Sequence, residues 1–212
     1  RILFCEAPDE SGEWGKRYKE IMKEAKPVLS CECFASVIEN YCGHSSKSLN
    51  LYLRENYQDK KTNSEHEADK VKEMCRISEM ADILSIVLCY APRIPHNLVV
   101  YRMVDDNFVR MLSEDSRKSG GYTEEPGFLS TSLLKKIAED KEYEHRGNLL
   151  KIYVPRGSVG AYINEIMARD EEEILFLPNA GLTMLDYPAK DKETGKKVFE
   201  IALTENGRRN KI

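Results

Sequence analysis

The run Leu98-Val99-Val100-Tyr101-Arg102-Met103-Val104 is apolar on both faces of a strand except for one arginine near its centre. Alternation sets Arg102 on the face of Val100 and Val104, where a guanidinium is costly to bury unless it is paired. Two readings follow: an arginine paired to a core carboxylate, or an anion clamp whose planar fork suits phosphate oxygens. Gly127-Phe128-Leu129-Ser130-Thr131-Ser132 then places three hydroxyls in a row, which says little alone because hydroxyl pairs are ordinary cross-strand neighbours. Further on, Asp170-Glu171-Glu172-Glu173 sets four consecutive acids against the apolar run Ile174-Leu175-Phe176-Leu177. One reading is a solvated acidic loop that keeps a strand end soluble. In extended chain, however, Glu171 and Glu173 share a face while Glu172 points away, and paired carboxylates suit a division of acid and base work.

The elements that must hold these residues change character near Pro92. Before it, apolar residues recur at helical spacing. Trp14, Tyr18, Ile21, Met22 and Ala25 mark a helix over Glu13 to Lys26, and Leu49 and Leu53 mark a second. A third opens on Ser64 with Glu67 as a capping box and carries Val71, Met74, Cys75, Ala81, Leu84 and Leu88 to a stop at Ala91-Pro92. After it, strand-length runs are expected at Leu98 to Val104, Gly127 to Ser132, Leu149 to Val154, Ile174 to Leu177, Leu182 to Asp186 and Val198 to Thr204. The charged stretch Lys135 to Arg146 reads as helix or loop. Helices followed by strands predict an α+β fold, with N-terminal helices packed on a mixed or antiparallel β core. The whole of 1–212 reads as one domain, helical to about residue 92 and β-rich from about 93.

Composition narrows the partners. The 212 residues carry 32 basic and 36 acidic side chains, a formal charge of −4, so no global basic field exists to hold nucleic acid or anionic lipid. A phosphate-bearing ligand would have to be met locally. Apolar runs such as Ile83 to Tyr90 fall far short of the ~20 residues that span a bilayer. The 6 cysteines and 4 histidines lack paired ligand spacing, so no metal is expected. The opening on Arg1 without a methionine is expected of a domain cut from a longer protein.

Taken in order, Arg102, Ser130-Thr131-Ser132 and Glu171-x-Glu173 resemble the bacterial mono-ADP-ribosyltransferase toxins and effectors built on Arg, Ser-Thr-Ser and Glu-x-Glu. The likeness extends over Trp14-Gly15, Tyr41 and Gly43 with Leu49-Asn50-x-x-Leu53-Arg54, Gly127-Phe128 ahead of the serines, Lys151-Ile152-Tyr153-Val154-Pro155-Arg156-Gly157, and Gly160-Ala161-Tyr162-Ile163. The resemblance implies a two-sheet core with a central cleft for NAD and cleavage of its nicotinamide–ribose bond through an oxocarbenium-like state. It implies that Glu173 steadies the ribose 2′-hydroxyl and the developing charge, that Ser130 holds Glu173, and that Arg102 holds phosphate with the Met103 backbone near the adenosine. Thr131 and Ser132 would build the sheet edge beneath the co-substrate. Asn50 and Arg54, one helical turn apart, would complete the phosphate and ribose contacts.

Members with a glutamate two residues before the catalytic one usually modify arginine, and a carboxylate there suits a side chain that stays protonated at neutral pH. Glu171 therefore implies transfer to an arginine of a target protein. Two departures are visible. The segment from Ile163 to Asp170 lacks the exposed aromatic of toxins that act on actin or small GTPases, and no phenylalanine follows Ser132 where relatives stack one on nicotinamide. Tyr143 and Phe128 are the candidates for that stacking role, which the sequence leaves unassigned. The alternatives are an NAD glycohydrolase or a non-catalytic interaction module on the same fold. A toxin or effector also implies secretion or injection into a target cell, and leaves room for an immunity or regulatory protein as a partner.

Overall fold

The computed structural model describes residues 4–6, 32–56, 67–118, 122–163 and 172–204. The expected helix over Glu13 to Lys26, Trp14-Gly15, the Ser64 cap and Glu171 lie outside the described residues.

Residues 32–56 form one helical run: α1 (Glu32–Asn40), a π-helical turn (Tyr41–Ser45) and α2 (Ser46–Asn56). The wider turn shifts the phase of the apolar positions, and Val37, Ile38, Tyr41, Cys42 and Leu49 are all buried. The next helix, α3 (Glu67–Tyr90), buries Ala81, Leu84, Val87 and Leu88, whose steps of three and four residues make one face. Met74 and Cys75 of the same expected stripe remain exposed, so the stripe is buried only over its second half. Ala91 N still donates to Val87 O at 3.0 Å, and Pro92 then ends the helix.

The strands are β1 (Cys5–Glu6), β2 (Leu98–Val104), β3 (Tyr122–Glu125), β4 (Leu129–Ser132), β5 (Asn148–Val154), β6 (Gly160–Tyr162), β7 (Glu173–Phe176), β8 (Ala180–Met184), β9 (Ala189–Lys190) and β10 (Lys197–Thr204). They pair in the order β3-β8-β10-β5-β2-β4-β7-β6, with β1 beside β2 and β9 beside β10. β10 runs parallel to β5 and β1 to β2, and the other pairings are antiparallel, so the sheet is mixed as expected. The two halves of the expected core are joined through the single register pair Tyr101↔Ser132 between β2 and β4, which makes one hydrogen-bonded path.

Six expected strands appear within two residues of their predicted ends. β1, β3, β6 and β9 were not expected. Nor was a helix after β2: α4 (Asp106–Lys118) interrupts the order of helices first and strands after. It is capped by Asp105, whose Oδ1 accepts from Phe108 N at 2.8 Å, and Leu112 anchors it in the core. Lys135 to Arg146 resolves into two 3₁₀ turns, Lys135–Glu139 and Lys141–Tyr143.

Strand alternation divides the core. Leu129, Ile174 and Phe176 face a cluster that includes Leu112, while Phe128 and Leu175 face the helices with Leu49, Leu84 and Leu88. Asn50 of α2 fastens this second layer. Its Oδ1 accepts from Phe128 N at 2.8 Å, and its Nδ2 donates to Tyr41 Oη at 3.3 Å. Such a close approach requires a residue without a side chain before Phe128, because a Cβ on Gly127 would lie 2.8 Å from Asn50 Oδ1. Gly127→Ala is therefore expected to lower stability by about 1–3 kcal/mol through forced displacement of Asn50. Urea denaturation measures this, and an unchanged midpoint would show that the junction tolerates the methyl group.

Candidate active site

Three strands and one helix converge on a cavity of about 470 Å³ lined by Asn50 and Arg54 of α2, Arg102 of β2, Ser130 of β4 and Glu173 of β7, with Tyr143 at the end of the second 3₁₀ turn and Arg146 just after it. Antiparallel pairing of β4 and β7 sets Ser132 opposite Glu173 and Ser130 opposite Leu175, so Ser130 and Glu173 are diagonal neighbours on one face. The Ser130 hydroxyl donates to Glu173 Oε1 at 2.6 Å. This short charge-assisted bond fixes the orientation of a carboxylate that is itself only 6% exposed.

Arg102 pairs with a core carboxylate, as the first reading expected, and also reaches the cavity, where the anion-clamp reading would need it. Its side chain is 16% exposed, it lines the cavity, and it lies beside a core carboxylate: Nη2 is 3.9 Å from Glu125 Oε2. Its Nη1 also donates to Ser130 O at 3.3 Å. Burial pulls the Arg102 guanidinium below its ordinary pKa and Glu125 opposes that pull, so it remains a cation. The ring of Phe108 in α4 stands 5.9 Å from the guanidinium carbon. Glu125, on the edge strand β3, is fully buried and holds a second cation, accepting from Arg54 Nε at 2.9 Å and from Gly127 N at 3.0 Å on the same oxygen. Two guanidiniums around one carboxylate leave a net positive charge on the cavity wall.

The remaining expected residues are divided between wall and core. Met103 lines the cavity with a buried side chain, and its carbonyl oxygen accepts from Arg146 Nη1 at 3.0 Å. Ser132 Oγ accepts from Leu134 N at 3.0 Å, which closes the end of β4. Thr131 points to the opposite face from Ser130 and donates to Ile174 O at 2.9 Å, tying β4 to β7 from behind. Asn50 lines the cavity but is spent on Phe128 and Tyr41. Burial pushes the Tyr41 phenol well above its ordinary value, so the group stays neutral.

One expected contact is corrected. Phe128 is completely buried, packs edge to face on Tyr41 at 5.7 Å, and does not line the cavity, because alternation turns its ring toward the helices. The aromatic on the cavity wall is Tyr143, with the Arg146 guanidinium 4.9 Å from its ring centroid. The extended geometry assumed across the acids also fails at one residue: Glu172 has φ 45°, so alternation does not carry through it. Glu125 and Arg146 were missed by the sequence reading. Glu125 sits in a short polar run that reads as loop, and the spacing Tyr143-x-x-Arg146 in a charged stretch was the available signal for Arg146.

The model of the family described as ADP-ribosyltransferase exoenzyme matches residues 12–198. Among solved structures, the chain is similar to the C3 exoenzyme of Clostridium limosum, with TM-score 0.69 and 16% identity over 95% of this chain and 98% of that one. It is similar to an ADP-ribosyltransferase of Clostridium botulinum, with TM-score 0.66 and 17% identity over 96% of this chain and 98% of that one. An ADP-ribosylating toxin of a binary enterotoxin of C. perfringens, solved with NADH, gives TM-score 0.66 and 21% identity over 91% of this chain and 47% of that chain. At these identities the structural likenesses show the fold. No curated protein sequence matches the chain.

The Glu125 arrangement predicts an asymmetric response to substitution. Glu125→Ala leaves the Gly127 amide and Arg54 Nε without their acceptor and Arg102 without the carboxylate beside it, and is expected to destabilise by about 1–3 kcal/mol. Glu125→Gln keeps one acceptor oxygen and should cost less. Equal denaturation midpoints for wild type and Glu125→Ala would contradict the geometry.

Proposed function

The chain belongs to the ADP-ribosyltransferase exoenzyme family, and from that premise we propose that Glu173, Ser130, Arg102 and Arg54 form the site at which this NAD-dependent mono-ADP-ribosyltransferase transfers ADP-ribose to an arginine of a target protein. The observation that carries the assignment is the 2.6 Å bond from Ser130 to Glu173 on the wall of a cavity that also presents Arg102 and Arg54.

The residues present fit NAD. A cavity of about 470 Å³ lies within the usual range of small-molecule sites, roughly 300–1,000 Å³, and two guanidiniums suit a pyrophosphate. NAD supplies the ADP-ribose, with nicotinamide as the leaving group. Arg102 and Arg54 bind its phosphates, and Asn50, Met103, Thr131 and Ser132 shape the wall against which it lies. Tyr143 offers the stacking surface for nicotinamide that the buried Phe128 ring does not. Glu173, held by Ser130, keeps its carboxylate on the ribose and stabilises positive charge as the bond to nicotinamide breaks. A charge already in place needs no reorganisation during reaction, which is where most of the gain arises.

Arginine as acceptor rests on Glu171, two residues ahead of Glu173 as in family members that modify arginine. Its carboxylate holds the guanidinium and relieves it of a proton during attack. The acidic run Asp170-Glu171-Glu172 favours a basic target segment, through attraction that salt screens. We read the chain as one domain, and its place of action as a target cell reached by secretion or injection. An immunity or regulatory protein would silence it in the producer.

Nicotinamide release with and without an arginine acceptor tests this reading. Glu173→Gln is expected to lower both NAD hydrolysis and transfer by about 10²-fold or more, the scale of losing one fixed electrostatic group. Glu171→Gln should cut transfer to arginine steeply while slow hydrolysis survives. Near wild-type turnover in the first variant would end the site assignment; equal loss of both activities in the second would end the division of labour.

A further inference from the structure

Two non-glycine residues among those described have a positive φ, Asn179 at 59° and Glu172 at 45°. Asparagine tolerates this region because its short side chain bonds locally, but glutamate does not, so Glu172 must be held there by its surroundings. The structure shows what holds it. Tyr162 of β6, only 2% exposed, donates its hydroxyl to Glu172 Oε2 at 2.6 Å. Glu172 O accepts from Leu133 N at 3.0 Å, beyond the end of β4, and Ile163 N donates to Glu173 O at 3.0 Å. The residue is thus tied on one side to β6 and on the other to the segment that follows the serine strand.

We propose that the Tyr162–Glu172 hydrogen bond is a latch that positions the chain at the entrance of β7 and so governs the partition between transfer to an acceptor and loss to water. The inference rests on the acceptor role given to Glu171. Any relation between Glu171 and Glu173 passes through the two backbone torsions of Glu172, and those torsions lie outside the region a glutamate prefers. A phenol buried on the neighbouring strand and bonded to the side chain of that residue is the physical means of keeping it there. Glu173 itself is secured independently, by Ser130 and by its place in the β4–β7 pairing. Loss of the latch should therefore disturb the acceptor side while the NAD side persists. Tyr162 and Glu172 are positioning residues in this account, since the cavity wall contains neither.

The test compares Tyr162→Phe, Glu172→Ala and Glu172→Gln in the whole chain with labelled NAD. NAD hydrolysis, the KM for NAD, label transferred to agmatine, and label transferred to proteins of a cell lysate are measured in parallel. Tyr162→Phe keeps the ring and loses only the donor, and Glu172→Gln keeps an oxygen that accepts it. The latch predicts that Tyr162→Phe and Glu172→Ala lower the ratio of transfer to hydrolysis about tenfold, with hydrolysis and KM within about twofold of wild type. Glu172→Gln should retain most of the ratio. An unchanged ratio in Tyr162→Phe, hydrolysis that falls in step with transfer, or a Glu172→Gln variant as impaired as Glu172→Ala would overturn the proposal, the last because it would make the charge of the acidic run the cause. If wild type labels lysate proteins but never agmatine, the arginine reading fails instead, and the lysate ratio still decides the latch.

Discussion

The Glu125 carboxylate, fully buried on an edge strand, holds cations delivered by two other elements, and the form of the cavity wall follows from that arrangement. A carboxylate removed from water is costly, and here Arg54 and the Gly127 amide share one oxygen while Arg102 stands beside the other. The same contact brings α2 against β3 and fixes the approach to β4. Because one anion serves two guanidiniums, the surplus charge is positive and is displayed toward the cavity. An inward-pointing charge also discourages β3, at the end of the strand path, from pairing with another chain. The architecture and the positive charge of the cavity wall thus draw on one interaction.

Strand alternation then separates the two duties of the serine strand. Ser130 faces the cavity and orients Glu173, whereas Thr131 faces the other way and bonds Ile174 O. One strand of four residues therefore carries a cavity-facing hydroxyl and a structural one side by side. The single pair Tyr101↔Ser132 that links β2 to β4 brings Arg102 within reach of Ser130 O. The family match and the similar solved structures place this arrangement within the ADP-ribosyltransferase exoenzyme fold.

What was legible in the sequence depended on contrast with the surroundings. Arg102 stood out because its strand is otherwise apolar, and the mixed α+β arrangement followed from a change of period at Pro92. Glu125 was hidden because Tyr122-Thr123-Glu124-Glu125 has the composition of a loop; only pairing with β8 makes it a strand and turns the acid inward. α4 carried a readable signal in Asp105 and the spacing of Phe108 and Leu112, which the strand-rich context obscured. Phe128 was misassigned because position next to a functional serine says nothing of which face a ring takes. Extended geometry across Glu171 to Glu173 fails at Glu172, since a torsion imposed by a tyrosine ten residues away has no local signature.

The central claim is that Arg54 and Arg102, set by Glu125, make a preformed seat for the pyrophosphate with Glu173 beside the ribose. A crystal structure of the Glu173→Gln variant soaked with NAD tests it most directly. The account predicts phosphate oxygens within hydrogen-bonding distance of both guanidiniums, Glu125 still bridging them, and residue 173 against the ribose hydroxyls. NAD bound with its phosphates away from Arg54 and Arg102, or an Arg54–Glu125 contact broken to admit it, would contradict that account.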